Sequence, residues 1–226
     1  LNLDFTIHAS DLTKLAQFTG KPLLLNEQLE ISGHTSDIGS KIYKISGLKI
    51  IMDDNTINGL IEINLSKKLP RLSAELSSNR LDLRPLMRQY KDIRKTEPKS
   101  TNGTKNVKKV FSSNPLSLDK LKIADGTIKV HVKQLLLPRL AVNDMTVETT
   151  LKDGLITFDP IKATIGAGTL NGLITLTPQD QTAALIAELK AEGIEIESML
   201  KELSITNVLE GKIDVEMNLK GRGESV

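Results

Sequence analysis

The sequence predicts an all-β protein with a few short helices, folded as an elongated, curved antiparallel sheet that forms an open apolar groove. Apolar and polar residues alternate along many short segments, which is typical of strands with one wet face. Helical segments are too few and too short to cover the apolar faces of these strands, so the sheet either closes on itself as a sandwich or barrel or stays open as a trough, which a tandem repeat favours. The stretch Ile42–Met87 recurs without a gap as Leu155–Leu200, which predicts two related repeat units.

Matching motifs carry this repeat at an offset of 113 residues. Thr56–Ile61 (TINGLI) becomes Thr169–Ile174 (TLNGLI), and Leu72–Leu76 (LSAEL) becomes Leu185–Leu189 (LIAEL). Chance similarity between aliphatic-rich segments is the alternative, but it does not explain why Asn-Gly and Ala-Glu-Leu keep one register. We therefore expect one supersecondary unit to be used more than once.

Composition excludes several classes of protein. The chain of 226 residues has no cysteine, 3% aromatic residues and a net charge of +2. The lack of cysteine removes disulfides, thiolate catalysis and cysteine-based metal sites, and the near-neutral charge argues against nucleic acid as a partner. No apolar run approaches the roughly 18 residues that span a bilayer. The chain starts without Met and within a strand pattern, which indicates a fragment of a longer protein.

The first half begins with a strand at Leu1–Ala9, and a short helix at Leu12–Phe18 is expected to follow it. Further alternating segments predict more strands, and Asp82 is placed to cap a helix over Leu83–Lys95 that has Pro85 in its first turn. The predicted strands are Leu29–Gly33, Lys41–Met52, the segment around Ile57–Leu65, and Arg71–Asn79.

A polar segment separates the halves. Its composition predicts residues 1–95 as the first β-repeat unit, 96–112 as a flexible basic linker and 113–226 as the second unit. Seven basic residues against two acidic ones lie between Lys91 and Lys109. Such a run could contact anionic lipid head groups, or it could be a solvated loop.

The second half continues as a series of hairpins. Asp153-Gly154 between two apolar runs is a strong two-residue hairpin signal, and a short helix is expected at Glu197–Leu203. Short connections favour antiparallel pairing between successive strands. The predicted strands are Leu121–Gln134, Leu140–Leu151, Leu155–Ile165, Thr169–Leu176, Ala184–Ala191 and Lys212–Lys220.

An apolar sheet face without a covering layer is a binding site by default. An aliphatic trough that lacks aromatic rings and converging charges suits the acyl chains of lipids. The candidate groove residues are Ile57, Ile61, Ile63, Ile128, Val130, Val132, Ile213, Val215, Met217 and Leu219.

Catalytic or metal chemistry has little support. His8 and His131 fall on polar strand faces and His34 lies at a strand end, so their spacing gives no metal site. Asp53-Asp54 could bind Ca²⁺ weakly, but a turn between strands explains them. We expect no catalytic residue, no cofactor and no enzyme activity.

Several motifs together resemble the AsmA family. They are Phe111–Asp119 (FSSNPLSLD), Leu137–Leu140 (LPRL), Leu151–Leu155 (LKDGL), Ala167–Gly172 (AGTLNG) and Leu219–Ser225 (LKGRGES). Each motif alone is weak, whereas their order and spacing are more specific.

The resemblance implies a periplasmic protein of the Gram-negative envelope, held in the inner membrane by an anchor outside this fragment. It also implies an elongated β-groove, and larger relatives are thought to carry phospholipid towards the outer membrane. The expected function is therefore lipid binding and transport that contributes to outer-membrane assembly and lipid homeostasis, with phospholipid or another acyl-chain lipid as partner. The alternative is a structural or interaction domain of an envelope assembly, with protein partners and no cargo.

Overall fold

The computed structural model describes residues 1–10, 28–87, 121–138, 140–179, 182–195, 197 and 210–223. These residues form twelve strands that belong to one sheet. The strands are β1 (Asn2–Ala9), β2 (Leu29–Gly39), β3 (Ile42–Met52), β4 (Asn55–Asn64), β5 (Arg71–Ser78), β6 (Leu81–Asp82), β7 (Asp125–Leu137), β8 (Leu140–Lys152), β9 (Leu155–Ile165), β10 (Gly168–Gln179), β11 (Thr182–Glu195) and β12 (Lys212–Gly223).

The sheet is open, because β1 and β12 lie at its two ends and do not pair with each other. Its order follows the chain from β1 to β12, except that β6 continues the line of β5 alongside β7. The predicted all-β fold with an open sheet is thus confirmed. Register shifts between β2 and β3, β3 and β4, β8 and β9, β9 and β10, and β11 and β12 bend the strands at these points.

Two strand pairs depart from the predicted antiparallel arrangement, because both β5 and β6 run parallel to β7. β5 and β7 run parallel, with Leu76 opposite Val130. A parallel partner requires a crossover connection of a dozen or more residues, and residues 83–124 provide that length between β6 and β7. β11 and β12 pair antiparallel although residues 196–211 separate them, so a long connection permits parallel pairing without requiring it.

The predicted helices are only partly covered by the described residues. Leu12–Phe18 lies outside them, as does most of Glu197–Leu203, of which Glu197 is helical. Within Leu83–Lys95, residues 84–87 are helical, and the backbone N–H of Arg84 donates to Asp82 Oδ1 over 3.0 Å. Asp82 therefore caps this turn as predicted. The predicted linker, 96–112, also lies outside the described residues, so the division into domains stays a prediction.

The two segments related by the 113-residue offset have similar geometry. β3 and β9 have bounds that differ by this offset at both ends. Their register shifts also coincide: Ile45 and Leu48 pair with Ile61 and Gly59, and the equivalent residues of β9 pair in the same way with β10. The two segments thus share strand bounds and a register shift, and the division into two repeat units stays a prediction.

The core is small and lies at the middle of the sheet. Val132, Leu135, Val142 and Ala163 are buried together, and Leu81 and Leu83 pack against them. Val132 is only 2% exposed. Since the strands of this cluster belong to one sheet, this burial is what a concave, curved face produces.

Candidate functional site

Side chains of direct cross-strand partners point to the same face of a sheet. The pairing register therefore assigns every strand residue to one of two faces, which we call the apolar face and the polar face. The apolar face contains Val130 and Met217, and the polar face contains Lys129 and Glu216.

One row of partners crosses nine neighbouring strands, and we call it the floor row. Every member is aliphatic, Met or Gly, so the row presents neither a charge nor a side-chain hydrogen-bonding group. With neighbouring strands about 4.8 Å apart, the row is roughly 38 Å long. Its members are Leu48, Gly59, Leu76, Val130, Val147, Ile161, Gly172, Leu189 and Met217.

Two further rows run beside the floor row on the same strands. Their only side-chain polar groups are the hydroxyls of Thr149 and Tyr43. The nearer row is Ile45, Ile61, Ala74, Ile128, Thr149, Phe158, Ile174, Ala187 and Leu219, and the farther row is Tyr43, Ile63, Leu72, Gly126, Leu151, Ile156, Leu176, Leu185 and Gly221.

The structure places all ten predicted groove residues on the apolar face. Val130 and Met217 belong to the floor row, and Ile61, Ile63, Ile128 and Leu219 lie in the two rows beside it. The other four lie at further positions of the same face: Ile57 opposite Ile50, Val132 opposite Met145, Val215 opposite Ala191 and Ile213 opposite Ile194.

Exposure differs sharply along this face. Val132 is buried, whereas Val215 is 49% exposed on the edge strand β12. Exposed large hydrophobic side chains also lie on this face along the other edge strand, at Leu3 and Ile7 of β1. The accessible part of the face is therefore concentrated towards both ends of the sheet.

Several residues of the apolar face were not among those predicted from the sequence, although their alternation was visible. Val147 lies within a segment that was recognised as a strand, yet it was not assigned to the groove. Ile161 is harder to assign, because a register irregularity puts it on the same face as Phe158, three residues away. Strict period-two alternation would place these two residues on opposite faces.

Glycines shape the floor row at equivalent positions. A Cβ on Gly59 would lie 2.6 Å from Leu76 Cδ2 and 2.5 Å from the backbone oxygen of Glu75. A Cβ on Gly172 would clash with Leu189 Cδ2. Each leucine side chain thus lies across the α-carbon of its glycine partner. The apolar surface therefore lies close to the backbone at both positions.

The polar face carries ion pairs both between neighbouring strands and along one strand: Lys129 of β7 pairs with Glu148 of β8, and Lys190 pairs with Glu192 of the same strand, β11. Lys129 Nζ lies 3.4 Å from Glu148 Oε2, and Lys190 Nζ lies 2.7 Å from Glu192 Oε1. The hydrogen bond and the charge of Glu192 raise the pKa of Lys190 above its ordinary value. Such exposed pairs contribute little stability, so this face is chiefly a solvated exterior.

Surface depressions with volumes of about 470 and 410 Å³ open beside Leu60 and Leu173. Their linings are mainly polar-face side chains, including Glu75 and Glu188. Both depressions therefore lie mainly on the polar face, and neither represents the open apolar face.

The three histidines occupy separate places. His8 lies 3.3 Å from Glu30, His34 lies 2.7 Å from Asp4, and His131 contacts the Thr146 hydroxyl at 3.2 Å. Within the described residues, no group of three or more His, Asp or Glu side chains is arranged to hold a metal ion.

A polar cluster fixes the chain where it leaves β6. Arg84 Nη2 donates to Asp82 Oδ2 over 2.6 Å, and the backbone N–H of Asp82 donates to Asn55 Oδ1 over 2.5 Å. The hydrogen bond from Arg84 lowers the pKa of Asp82 to about 2. These contacts hold Leu81 and Leu83 against the central core.

Comparison with known families gives one match. The model of the AsmA family matches residues 11–226. Neither a curated protein nor a solved structure matches the chain. Among the described residues, no helix is long and apolar enough to cross a membrane.

Proposed function

The chain belongs to the AsmA family, and on this premise we propose that its apolar face binds the acyl chains of phospholipid or another lipid. Family membership fits a periplasmic envelope protein. In the proposal, the chain is the lipid-binding module of a protein anchored in the inner membrane, and it contributes to outer-membrane assembly and lipid homeostasis.

The floor row is the observation that carries this proposal. Nine consecutive strands contribute aliphatic, Met or Gly residues to it, and no charged group interrupts it. An acyl chain along this row would transfer its methylenes from water to an apolar surface, at about 0.8 kcal/mol for each methylene that is buried. A single row thus supports firm binding without a specific head-group contact.

The proposed mechanism is passive. Because the rows contain only two hydroxyl groups and no charge, an acyl chain would meet an apolar surface at each successive strand, with the most exposed side chains towards the ends of the sheet. Sliding along the row would exchange one set of dispersion contacts for an equivalent set. No catalytic residue, cofactor or enzyme activity forms part of the proposal, and the two repeat units would each supply part of the row.

Two exposed edge positions allow a direct test of binding. We would measure the affinity of the purified chain for a fluorescent acyl-chain probe after replacing Met217 and Leu219 by Asp. Both side chains are more than 40% exposed, so the fold should tolerate the change. A matched control makes the same change of −2 in net charge on the polar face of the same strand, with Lys220→Asp.

We expect the apolar-face variant to lose at least about tenfold in affinity, since each buried carboxylate must be desolvated. The control should bind like the unmodified chain. Equal affinities for all three proteins would contradict the proposal and favour a structural or interaction role.

A further inference from the structure

We propose that one long edge of the sheet, which we call the basic lip, docks on an anionic membrane surface. The lip comprises the described residues 38–41, 65–70, 121–124 and 152–155, which lie where β2, β4 and β8 end and where β3, β5, β7 and β9 begin. This inference concerns a surface outside the acyl-chain site and does not depend on the proposed function.

Aliphatic side chains project into solvent along the basic lip. Ile123 is 68% exposed, Ile38 53%, Leu65 44% and Leu155 37%. At the opposite long edge, the described residues include one comparable side chain, Met87. A series of exposed aliphatic residues along one edge marks a contact surface more strongly than scattered single residues do.

Lysines accompany these aliphatic residues. Five exposed cations stand in the lip ranges, against a single acid, Asp153; they are Lys41, Lys67, Lys68, Lys122 and Lys152. Each lysine near an anionic leaflet strengthens attraction to its head groups. The combination of aliphatic and cationic side chains is the one that interfacial membrane contacts use.

The opposite edge has the reverse balance of charge. Its described turns and strand ends carry six acids: Asp53, Asp54, Asp82, Glu195, Glu197 and Glu210. The described cations there are Arg80, Arg84 and Lys212, and both arginines are paired with Asp82. The charge asymmetry between the edges predicts which of them faces an anionic surface.

Backbone contacts hold the segments of the lip together. The N–H of Leu65 donates to the Lys41 carbonyl over 2.8 Å, and the N–H of Asp125 donates to the Pro70 carbonyl over 2.9 Å. The N–H of Asp153 donates to Asp125 Oδ1 over 3.0 Å. These bonds fix the aliphatic and cationic side chains along one line.

The shape of the lip favours a bilayer over an acidic protein. From β2 to β9 the line crosses seven neighbouring strands, a length of roughly 29 Å. Its ranges contain Lys and aliphatic residues but no Arg, Trp or Tyr, the residues that dominate protein-protein hot spots. An extended line of single side chains suits shallow insertion among head groups.

Docking would also bring the acyl-chain site close to the membrane, if the proposed function holds. Ile63 and Leu72 belong to the farther row and lie within two residues of the strand ends at the lip. A lipid leaving the leaflet at this edge would reach apolar side chains directly.

Vesicle flotation with the purified full chain tests the docking. One set of vesicles contains phosphatidylcholine alone, and the other an equimolar mixture with phosphatidylglycerol. The charge variant is K67E/K68E/K122E, and its matched control, K49E/K133E/K162E, makes the same charge change on the polar face. The insertion variant is I38S/I123S, with I186S as the polar-face control.

We expect binding to the anionic vesicles that weakens with salt and is lost at least about tenfold in both lip variants, while both controls bind like the unmodified chain. If K67E/K68E/K122E and its control lose vesicle binding equally, net charge alone explains the loss, and the proposal is overturned. Tight retention on polyglutamate that I38S/I123S leaves unchanged would indicate an acidic protein instead, and would also overturn it.

The outcome can be separated from that of the acyl-chain proposal. Replacing Met217 and Leu219 by Asp should abolish probe binding and leave flotation unchanged, because both residues lie on β12 away from the lip. Loss of flotation in that variant would contradict a separate docking edge.

Discussion

Leu189 lies across the α-carbon of Gly172, its direct partner on the neighbouring strand, and occupies the space that a Cβ at Gly172 would need. The same relationship joins Leu76 to Gly59, 113 residues earlier. The leucine side chains therefore lie flat along the floor row. The height of the apolar surface above the backbone therefore depends on these two glycines.

Gly172→Ala should tilt Leu189 away from the floor, because the side-chain end is the only atom within 3 Å of the added methyl group. Overpacking of this kind costs about 1–3 kcal/mol. Adding Leu189→Ala should recover most of the acyl-chain affinity that the single change removes. Urea unfolding and probe binding of both variants measure these effects.

Gly59→Ala is the matched comparison. The new methyl group would meet the backbone oxygen of Glu75 as well as Leu76, and a backbone atom cannot move aside as a leucine end can. We therefore expect that adding Leu76→Ala to the Gly59→Ala variant restores little of the lost stability. Full recovery by Leu76→Ala would contradict the backbone contact.

Substitutions at Val132 and Val215 compare a buried with an exposed position of the apolar face, and only the buried one should stabilise the fold. Val132→Ala removes a side chain that is 2% exposed and should lower the free energy of unfolding by about 2 kcal/mol or more. Val215→Ala, at 49% exposure, should change it by less than about 0.5 kcal/mol. Chemical denaturation checks both values, and similar losses would show that the edge is packed as tightly as the centre.

Asp82 should make the stability depend on pH in the acid range. Its pKa falls from 3.8 to about 2 on folding, chiefly through the hydrogen bond from Arg84. A lowered pKa stabilises the fold above pH 3.8, and this contribution is lost as the pH falls through about 2. Asp82 is 16% exposed and Arg84 39%, so solvent screening reduces the contribution to about 1–2 kcal/mol.

The Asp82→Asn variant measures this contribution by difference. Near neutral pH it should unfold at lower urea concentration than the unmodified chain, and the two midpoints should converge as the pH approaches 2. Asn55 bonds to the backbone of residue 82 and keeps this contact in the variant, so a difference that stays constant down to pH 2 would show that titration of the Asp82 carboxyl is not its cause.

Alternation in the sequence predicted most strand bounds and the face of each predicted groove residue. Ile57, Ile61 and Ile63 are an example, because their alternation with Asn58, Glu62 and Asn64 places them on one face. β3 and β9 end where their apolar patterns end. The physical reason is that a one-residue slip would expose a whole apolar set.

Other features depend on contacts that alternation does not reveal. β2 continues to Gly39 although its apolar pattern stops at Gly33, because β1 and β3 bond to it on both sides. β5 and β7 pair in parallel although residues 79–124 separate them, and alternation within each strand does not reveal their relative direction. The basic lip was missed because its members come from turns that are distant in sequence and meet only at the sheet edge.

Site-specific photo-crosslinking along β12 in cells tests the central claim most directly. A crosslinker placed in turn at positions 213 to 219 samples the apolar face at odd positions and the polar face at even ones. Lipid contact on the apolar face predicts adducts at Val215, Met217 and Leu219, and none at Asp214, Glu216 and Asn218. Equal adducts on both faces, or none at any position, would contradict the account.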